Sequence, residues 1–254
     1  VGGYRALGRL YRGIICNDLR QYVMLGDAGA MTDNVIGNAD DRWVFTEDNP
    51  SRELSTAAAL AAVSRVLKGF NDTLSVQSLQ AACELFDRTR VTDRSEINKL
   101  QAAVELYLAT HEDGYKKYIL GQQKLIVDNI ARTGWFIGRA DQAIKDKKFT
   151  ENIRKALAAF RRELEEQKKE TPYGVPYKPS IWGAGWDIQS FGYQQYFLVQ
   201  AYPDLFGPEL LYSALNFVLG CHPGSNTASF ASGVGANSAT VAYGLNRADW
   251  SYIP

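Results

Sequence analysis

The chain has 254 residues, 46% of them hydrophobic and 22% charged, which is typical of a soluble globular protein with a substantial core. Because 28 Lys and Arg balance 28 Asp and Glu, the composition indicates neither a nucleic-acid partner nor an electrostatic membrane footprint. No apolar run reaches the length of a membrane helix, so membrane insertion is not expected.

The first elements in chain order are a short candidate strand and a helix. Period-two alternation is confined to a segment around Arg42–Phe45. Asn49 followed by Pro50 predicts an N-cap and a first helical position, and Gly69 marks the end of this helix. From here on the sequence is helical by period.

The central part of the chain predicts further helices. One opens near Asn71 or Asp72, with Cys83 on its apolar face as a small core residue. Asp93 and Glu96 have the spacing of a capping box ahead of the next helix. Apolar residues at helical spacing then predict one helix over 115–130.

The later part predicts an interruption at 134–138 and a long helix through 149–164, whose charged positions indicate a solvated face. Two more helices are predicted at 188–201 and 208–219. Helices joined by short links, without sustained heptads, indicate an all-α fold of stacked α-hairpins. Such hairpins form either an open solenoid or a closed toroid.

Three connections are long: 134–148, 170–187 and 220–254. Long loops at one end of a helical ring are a plausible place for a site. The stretch 210–246 contains no Asp, Glu, Lys or Arg and is rich in turn-forming residues. It therefore predicts an ordered loop lying on a rigid scaffold.

The loop 171–187 holds Tyr173, Trp182 and Trp186 among several prolines. Exposed aromatic faces of this kind stack on sugar rings, but the tryptophans could equally plug the end of the helical ring. Asp187 is either the N-cap of the following helix or a ligand-binding carboxylate.

Polar candidates follow in the uncharged stretch and just after it. His222 could exchange a hydrogen bond with a substrate hydroxyl or satisfy loop carbonyls. Arg247 and Asp249 form either a ligand-binding pair or a local ion pair.

Several chemistries find no support in the sequence. Phosphate-binding, dinucleotide and nucleophile-elbow motifs are absent. The two histidines have no clustered acids, and the three cysteines show neither metal spacing nor a disulfide framework. We therefore expect no cofactor and no metal.

Several segments resemble glycoside hydrolase family 9. They are 215–223 (LNFVLGCHP), 229–235 (SFASGVG), 171–174 (TPYG), Trp182-Gly183 and the alanine-rich helix at 52–67. The resemblance extends over about residues 50 to 250. It implies an all-α fold in which stacked hairpins form most of a six-hairpin α/α toroid with a sugar-binding cleft.

The same resemblance implies hydrolysis of β-glucan-type bonds in a polysaccharide or oligosaccharide, with inversion, by a secreted or periplasmic protein. No signal peptide is visible in the chain. The implied carbohydrate-binding residues are the stacking Tyr173, Trp182 and Trp186 and the polar Asp187, His222, Arg247 and Asp249.

The sequence also departs from the family pattern. His222 occupies the position before proline where the family carries Asn, and Asp27-Ala28-Gly29-Ala30 lacks the second Asp of the family's Asp-Ala-Gly-Asp string. We therefore expect the catalytic carboxylates to lie outside the chain. Residues 1–254 would be a single helical domain, the central and later part of a larger toroidal catalytic domain.

Two alternatives to an enzyme remain open at this point. One is a non-catalytic helical module that binds glycan or protein through the same face. The other is an incomplete helical scaffold without a function of its own, which should expose an apolar edge and associate.

Overall fold

The structure is a computed structural model and describes residues 10, 13–16, 42–45, 49–177 and 184–238. The chain divides into two compact units, Val1–Tyr115 and Lys116–Pro254. The elements among the described residues are strands β1 (Gly13–Cys16) and β2 (Arg42–Phe45), and helices α1 (Pro50–Leu67), α2 (Asp72–Arg88), α3 (Glu96–Thr110), α4 (Asp113–Gly121), α5 (Gln123–Asp128), α6 (Ile130–Ile144), α7 (Lys147–Lys168), α8 (Ala184–Ala201) and α9 (Glu209–Val218).

The strand predicted at Arg42–Phe45 is confirmed as β2. It pairs antiparallel with β1, so that Gly13 lies opposite Phe45 and Cys16 lies opposite Arg42. The partner strand β1 was not predicted from the sequence.

Local signals set the bounds of the first helices. The Asn49 side chain accepts a hydrogen bond from the Arg52 backbone N–H at 3.0 Å, Pro50 begins α1, and Gly69 follows its end with a positive φ of 85°. Asn71 caps α2 in the same way. These predictions are confirmed.

The capping box predicted at Asp93 and Glu96 is wrong. Glu96 is the first residue of α3, and Ser95 is the N-cap. The Ser95 hydroxyl oxygen accepts from the Thr92 backbone N–H at 2.8 Å instead of capping the helix. The turn before α3 therefore has its own hydrogen bonds, and Asp93 lies within it.

The core of the first unit lies where α1 packs against α2 and α3. Leu54, Leu85 and Leu100 are fully buried there, and Ala57 and Ala61 give α1 a flat surface that allows close approach.

Cys83 is half-buried, not a full core residue as predicted. The Tyr115 hydroxyl donates to its sulfur at 3.6 Å, and burial raises the pKa of the thiol. The side chain is therefore an inert, protonated packing group at neutral pH.

The helix predicted over 115–130 is three helices, interrupted at Gln122 and Asn129. The apolar spacing was correctly assigned, because Ile119 and Ile126 are both fully buried. Thr133 helps to fix the second break by donating its hydroxyl proton to the Ile126 carbonyl at 2.9 Å.

The interruption predicted at 134–138 is also wrong, because α6 runs through both glycines. A methyl group at Gly134 would lie 2.8 Å from Leu157, and one at Gly138 would lie 2.7 Å from Ala201. These glycines allow α6 to approach α7 and α8, which compensates for their low helix propensity.

The last two helices carry the candidate site. α8 begins at Ala184, earlier than the predicted start at 188, and α9 matches its predicted bounds within one residue. α8 packs against both α6 and α9. Among the residues that the structure describes, no helix is long and apolar enough to cross a membrane.

Candidate functional site

The segment 171–177, here called the first loop, follows α7 and is anchored by its own apolar residues. Its Val175 side chain is fully buried, and the Thr171 hydroxyl donates to the Val175 carbonyl at 2.8 Å. Tyr173 packs against the buried cluster that anchors the loop on α8 and α9. That cluster consists of Val175, Ile188, Ala214 and Phe217.

The segment 220–238, here called the second loop, folds back over the end of α9. The Phe230 backbone N–H donates to the Val218 carbonyl at 2.8 Å, and that of Ala236 donates to the Leu219 carbonyl at 2.9 Å. The last carbonyls of the helix are thereby satisfied by the loop itself. The loop is ordered against the scaffold, as its composition predicted.

Two glycines make this return possible. Gly220 and Gly235 have positive φ values of 68° and 94°. A Cβ at Gly220 would lie 2.2 Å from the Thr227 carbonyl oxygen, and one at Gly235 would lie 2.4 Å from the Leu219 carbonyl oxygen. Only glycine fits at these two backbone approaches.

The two loops bring five aromatic rings to one place, here called the aromatic wall: Tyr173, Trp186, Phe217, His222 and Phe230. The Phe217 ring is stacked with the His222 ring at 5.4 Å and with the Phe230 ring at 5.5 Å. The Tyr173 ring is edge-on to Phe217 at 5.3 Å and to His222 at 4.9 Å. These offset and edge-to-face arrangements are the favourable ones for aromatic rings.

Trp186 joins the wall from the first turn of α8. A methyl group added at its neighbour Gly185 would lie 3.2 Å from the Phe230 ring, so this turn lies directly against the second loop. Trp186 is 77% exposed and Phe230 is 61% exposed. Large apolar side chains exposed side by side mark an interaction surface.

His222 is held in place from inside the second loop. Its Nδ1 atom accepts a hydrogen bond from the Gly224 backbone N–H at 3.0 Å. A methyl group at Gly224 would lie 2.7 Å from the Tyr173 ring. This glycine therefore allows the tyrosine, the histidine and the loop backbone to meet.

The surroundings of the wall are neutral. Neither loop contains an Asp, Glu, Lys or Arg, and Asp187 is an exposed carboxylate in the first turn of α8. Among the described residues, no group of three or more His, Cys, Asp or Glu could hold a metal ion. Such a surface suits an uncharged ligand that has both apolar faces and hydroxyl groups.

The structure brings Tyr173 and His222 together, as their assignment to one sugar site requires. Trp186 is exposed, so it does not plug the end of the helices. His222 bonds to a backbone N–H, and the expectation that it might satisfy loop carbonyls finds no such bond at its Nδ1 atom.

The N-cap role considered for Asp187 is wrong, because α8 begins before it and Asp187 lies within the first turn. There it complements the helix dipole without capping the helix. The other three candidates, Trp182, Arg247 and Asp249, lie outside the described residues.

Sequence reasoning did not assign Phe217 and Phe230 to the site. Phe217 has the helical spacing of a core residue, and it is indeed nearly buried while its ring supports the wall. Phe230 carried a usable signal, since it is a large aromatic residue in a stretch of small, uncharged ones.

The sequence profile of Glycosyl hydrolase family 9 matches residues 18–244. A comparison with curated proteins gave no match.

Several solved structures of this family are similar to the chain. A metagenome-derived endoglucanase is 18% identical with a TM-score of 0.62, and the match covers 92% of this chain and 45% of that one. A single mutant of a thermostable endoglucanase from Alicyclobacillus acidocaldarius is 13% identical with a TM-score of 0.65, covering 92% and 47%. An endoglucanase from the termite Nasutitermes takasagoensis is 19% identical with a TM-score of 0.59, covering 80% and 53%.

The chain thus spans about half the length of these solved relatives. Their α/α-toroid folds confirm the predicted fold class, an all-α chain of stacked hairpins. The profile match over most of the sequence also confirms the resemblance inferred from its motifs: the chain belongs to glycosyl hydrolase family 9.

Proposed function

We propose that this chain is part of a glycoside hydrolase that cleaves a polysaccharide or oligosaccharide, and that the aromatic wall holds the sugar. Family membership supports hydrolysis of glycosidic bonds, and the relatives described as endoglucanases support a β-glucan-type substrate. The observation that carries the proposal is the aromatic wall itself, built from two uncharged loops on a chain of this family.

The wall has the chemistry that a neutral sugar requires. The C–H face of a pyranose ring packs on an aromatic face, while the hydroxyls at its edge need hydrogen-bonding partners. Trp186 and Phe230 offer exposed ring faces, and Tyr173 and His222 add polar groups beside them. We further propose that Trp182 extends the stacking surface and that Asp187, Arg247 and Asp249 bind hydroxyls or a carboxylate.

For the reaction we propose inversion. An inverting glycosidase needs two carboxyl groups about 6.5–9.5 Å apart, one to protonate the leaving oxygen and one to activate water. The two loops of the wall contain no carboxylate, so the wall orients the sugar and the acid–base pair comes from elsewhere in the whole protein. Cleavage of a β-linked substrate should then release the α-anomer first, which NMR of the fresh product can identify.

We also propose that residues 1–254 form one helical domain within a larger toroidal catalytic domain. Apolar side chains stand exposed in each unit: Val66 and Phe70 at the end of α1, and Tyr212 and Leu215 on α9. Further helical hairpins packing on these faces would bury them. The 254 residues produced alone should self-associate in light scattering, whereas a cooperatively folded monomer would contradict the larger domain.

One experiment separates an enzyme from its strongest alternative. The absence of carboxylates from the wall loops favours a non-catalytic glycan-binding module as the second candidate. With the intact protein and soluble β-glucans, a hydrolase releases reducing ends, whereas a module shows affinity without product. In the enzyme, Trp182→Ala should raise KM far more than it lowers stability. The generally extracellular location of the family supports a secreted or periplasmic protein.

A further inference from the structure

The two ring nitrogens of His222 have different roles. Nδ1 accepts the Gly224 backbone N–H at 3.0 Å, and an amide N–H can only donate. In neutral imidazole one nitrogen carries the proton and the other accepts, so the proton of His222 lies on Nε2. The ring therefore offers a donor, and no acceptor, through Nε2.

The neighbouring rings fix the direction of this donor. Tyr173 lies edge-on to the imidazole with an interplanar angle of 84°, while Phe217 stacks on it at 27°. Gly224 closes the Nδ1 side, where even a methyl group would lie 3.0 Å from that nitrogen. The half-buried ring is thus prevented from turning over, and Nε2 lies on the side away from the loop backbone.

The bond between His222 and Gly224 is the one that Asn or Asp makes in an Asx turn, from the side chain of residue i to the N–H of residue i+2. Asn at this position could accept the same N–H through its Oδ1 atom. Its amide nitrogen would then occupy the place of His222 Cδ2 and fall short of Nε2. Histidine therefore keeps the turn and adds a donor farther out.

We propose that His222 is a specificity-determining residue that donates a hydrogen bond from Nε2–H to an acceptor oxygen of a neutral sugar lying on the aromatic wall. This proposal rests on the proposed function and names the direction of one of its contacts. A fixed donor selects a sugar that presents a hydroxyl, ring or glycosidic oxygen to the wall, and it disfavours one that presents an amide N–H there.

The test uses the intact protein and cellotetraose, a neutral β-linked probe. Long-range nitrogen NMR of the histidine rings should show the Nε2–H tautomer for His222, with His111 as the internal reference, and cellotetraose should shift the Nε2 signal. In His222→Asn the Gly224 amide should keep its protection from hydrogen exchange, while calorimetry shows affinity weaker by about three- to tenfold, the effect of one hydrogen bond.

His222→Gln is the matched variant, because its amide nitrogen reaches nearly as far as Nε2 while its side chain no longer fits the turn. It should lose the protection of Gly224 and retain more affinity than His222→Asn. An Nδ1–H tautomer, or equal affinity of the wild type and His222→Asn, would overturn the donor role while leaving the proposed function intact. Absence of cellotetraose binding by the wild type would overturn both.

Discussion

The two ends of α8 have opposite characters. At the C-terminal end, Tyr202 is 3% exposed, and its hydroxyl donates to the buried Asp141 carboxylate at 2.8 Å. The Thr150 hydroxyl donates to the same carboxylate at 2.5 Å. At the N-terminal end, Trp186 and Asp187 lie in solvent.

This difference separates stability from recognition within one helix. The buried end satisfies its polar groups internally, and burial with the nearby Asp141 carboxylate raises the pKa of the Tyr202 phenol far above its ordinary value. The exposed end leaves ring faces and a carboxylate without such enclosure. Substitutions at the first end should therefore affect folding, and substitutions at the second should affect binding.

The largest expected effect is at the buried end. Tyr202→Ala removes a buried ring and should lower the free energy of unfolding by about 3–5 kcal/mol. Tyr202→Phe keeps the ring and removes one hydrogen bond from Asp141, at a cost of about 1–2 kcal/mol. Urea unfolding measures both changes, and equal losses for the two variants would show that ring packing contributes little there.

The same tyrosine should make the fold sensitive to alkali. Because the folded pKa is raised, the stabilisation is fully present below the ordinary tyrosine pKa of about 10 and is lost as pH rises above it. The free energy of unfolding should fall by up to about 1.4 kcal/mol per pH unit in that range. Tyr202→Phe should have a shallower slope, and an unchanged slope would contradict this assignment.

Next in size is the second loop, which supports the exposed end. Gly220→Ala places a Cβ 2.2 Å from the Thr227 carbonyl oxygen at a positive φ, so the loop must shift, at a cost of about 1–3 kcal/mol. Gly233→Ala is the matched control, since φ is also positive there but no atom lies within 4 Å. It should cost only about 1 kcal/mol.

Limited proteolysis and cellotetraose affinity measure this loop separately from the helices. Gly220→Ala should speed cleavage within 220–238 and weaken sugar binding, while the far-ultraviolet circular dichroism of the helices stays the same. Equal behaviour of the two glycine variants would mean that the close approach at Gly220 does not hold the wall together.

The same contrast explains what the sequence could predict. Asn49, Asn71 and Gly69 are local signals, and the helix bounds that they predict are confirmed. Gly134 and Gly138 resemble a loop locally, and only their contacts with Leu157, Ala201 and Tyr202 explain why α6 continues through them. Tertiary packing outweighed propensity at those positions.

The site was predictable by residue type more than by geometry. The unusual composition of the two loops indicated Tyr173 and His222, and their rings lie 4.9 Å apart. The stacking of Phe217 between helix and loop depends on how the second loop returns over α9. No pattern within the loop specifies that return, so the sequence could not reveal it.

A smaller effect is expected at Trp186, and it should concern binding alone. Trp186→Ala should weaken cellotetraose binding by about 1–2 kcal/mol, because a stacking face is lost. Stability should change by less than about 0.5 kcal/mol, since the side chain is mostly in solvent. Trp186→Phe should keep much of the affinity. A large stability loss with unchanged affinity would place Trp186 with the buried end of α8.

The smallest effect is expected at Asp187. Asp187→Asn removes a charge from the first turn of α8 and should lower stability by about 0.3–1 kcal/mol, an effect that salt screens. If the carboxylate also accepts a sugar hydroxyl, affinity for cellotetraose should fall about two- to threefold at high as well as low salt. Asp187→Glu keeps the charge and should restore stability first. Lower stability with unchanged affinity would show that Asp187 serves only the helix, leaving recognition at this end to the aromatic rings and His222.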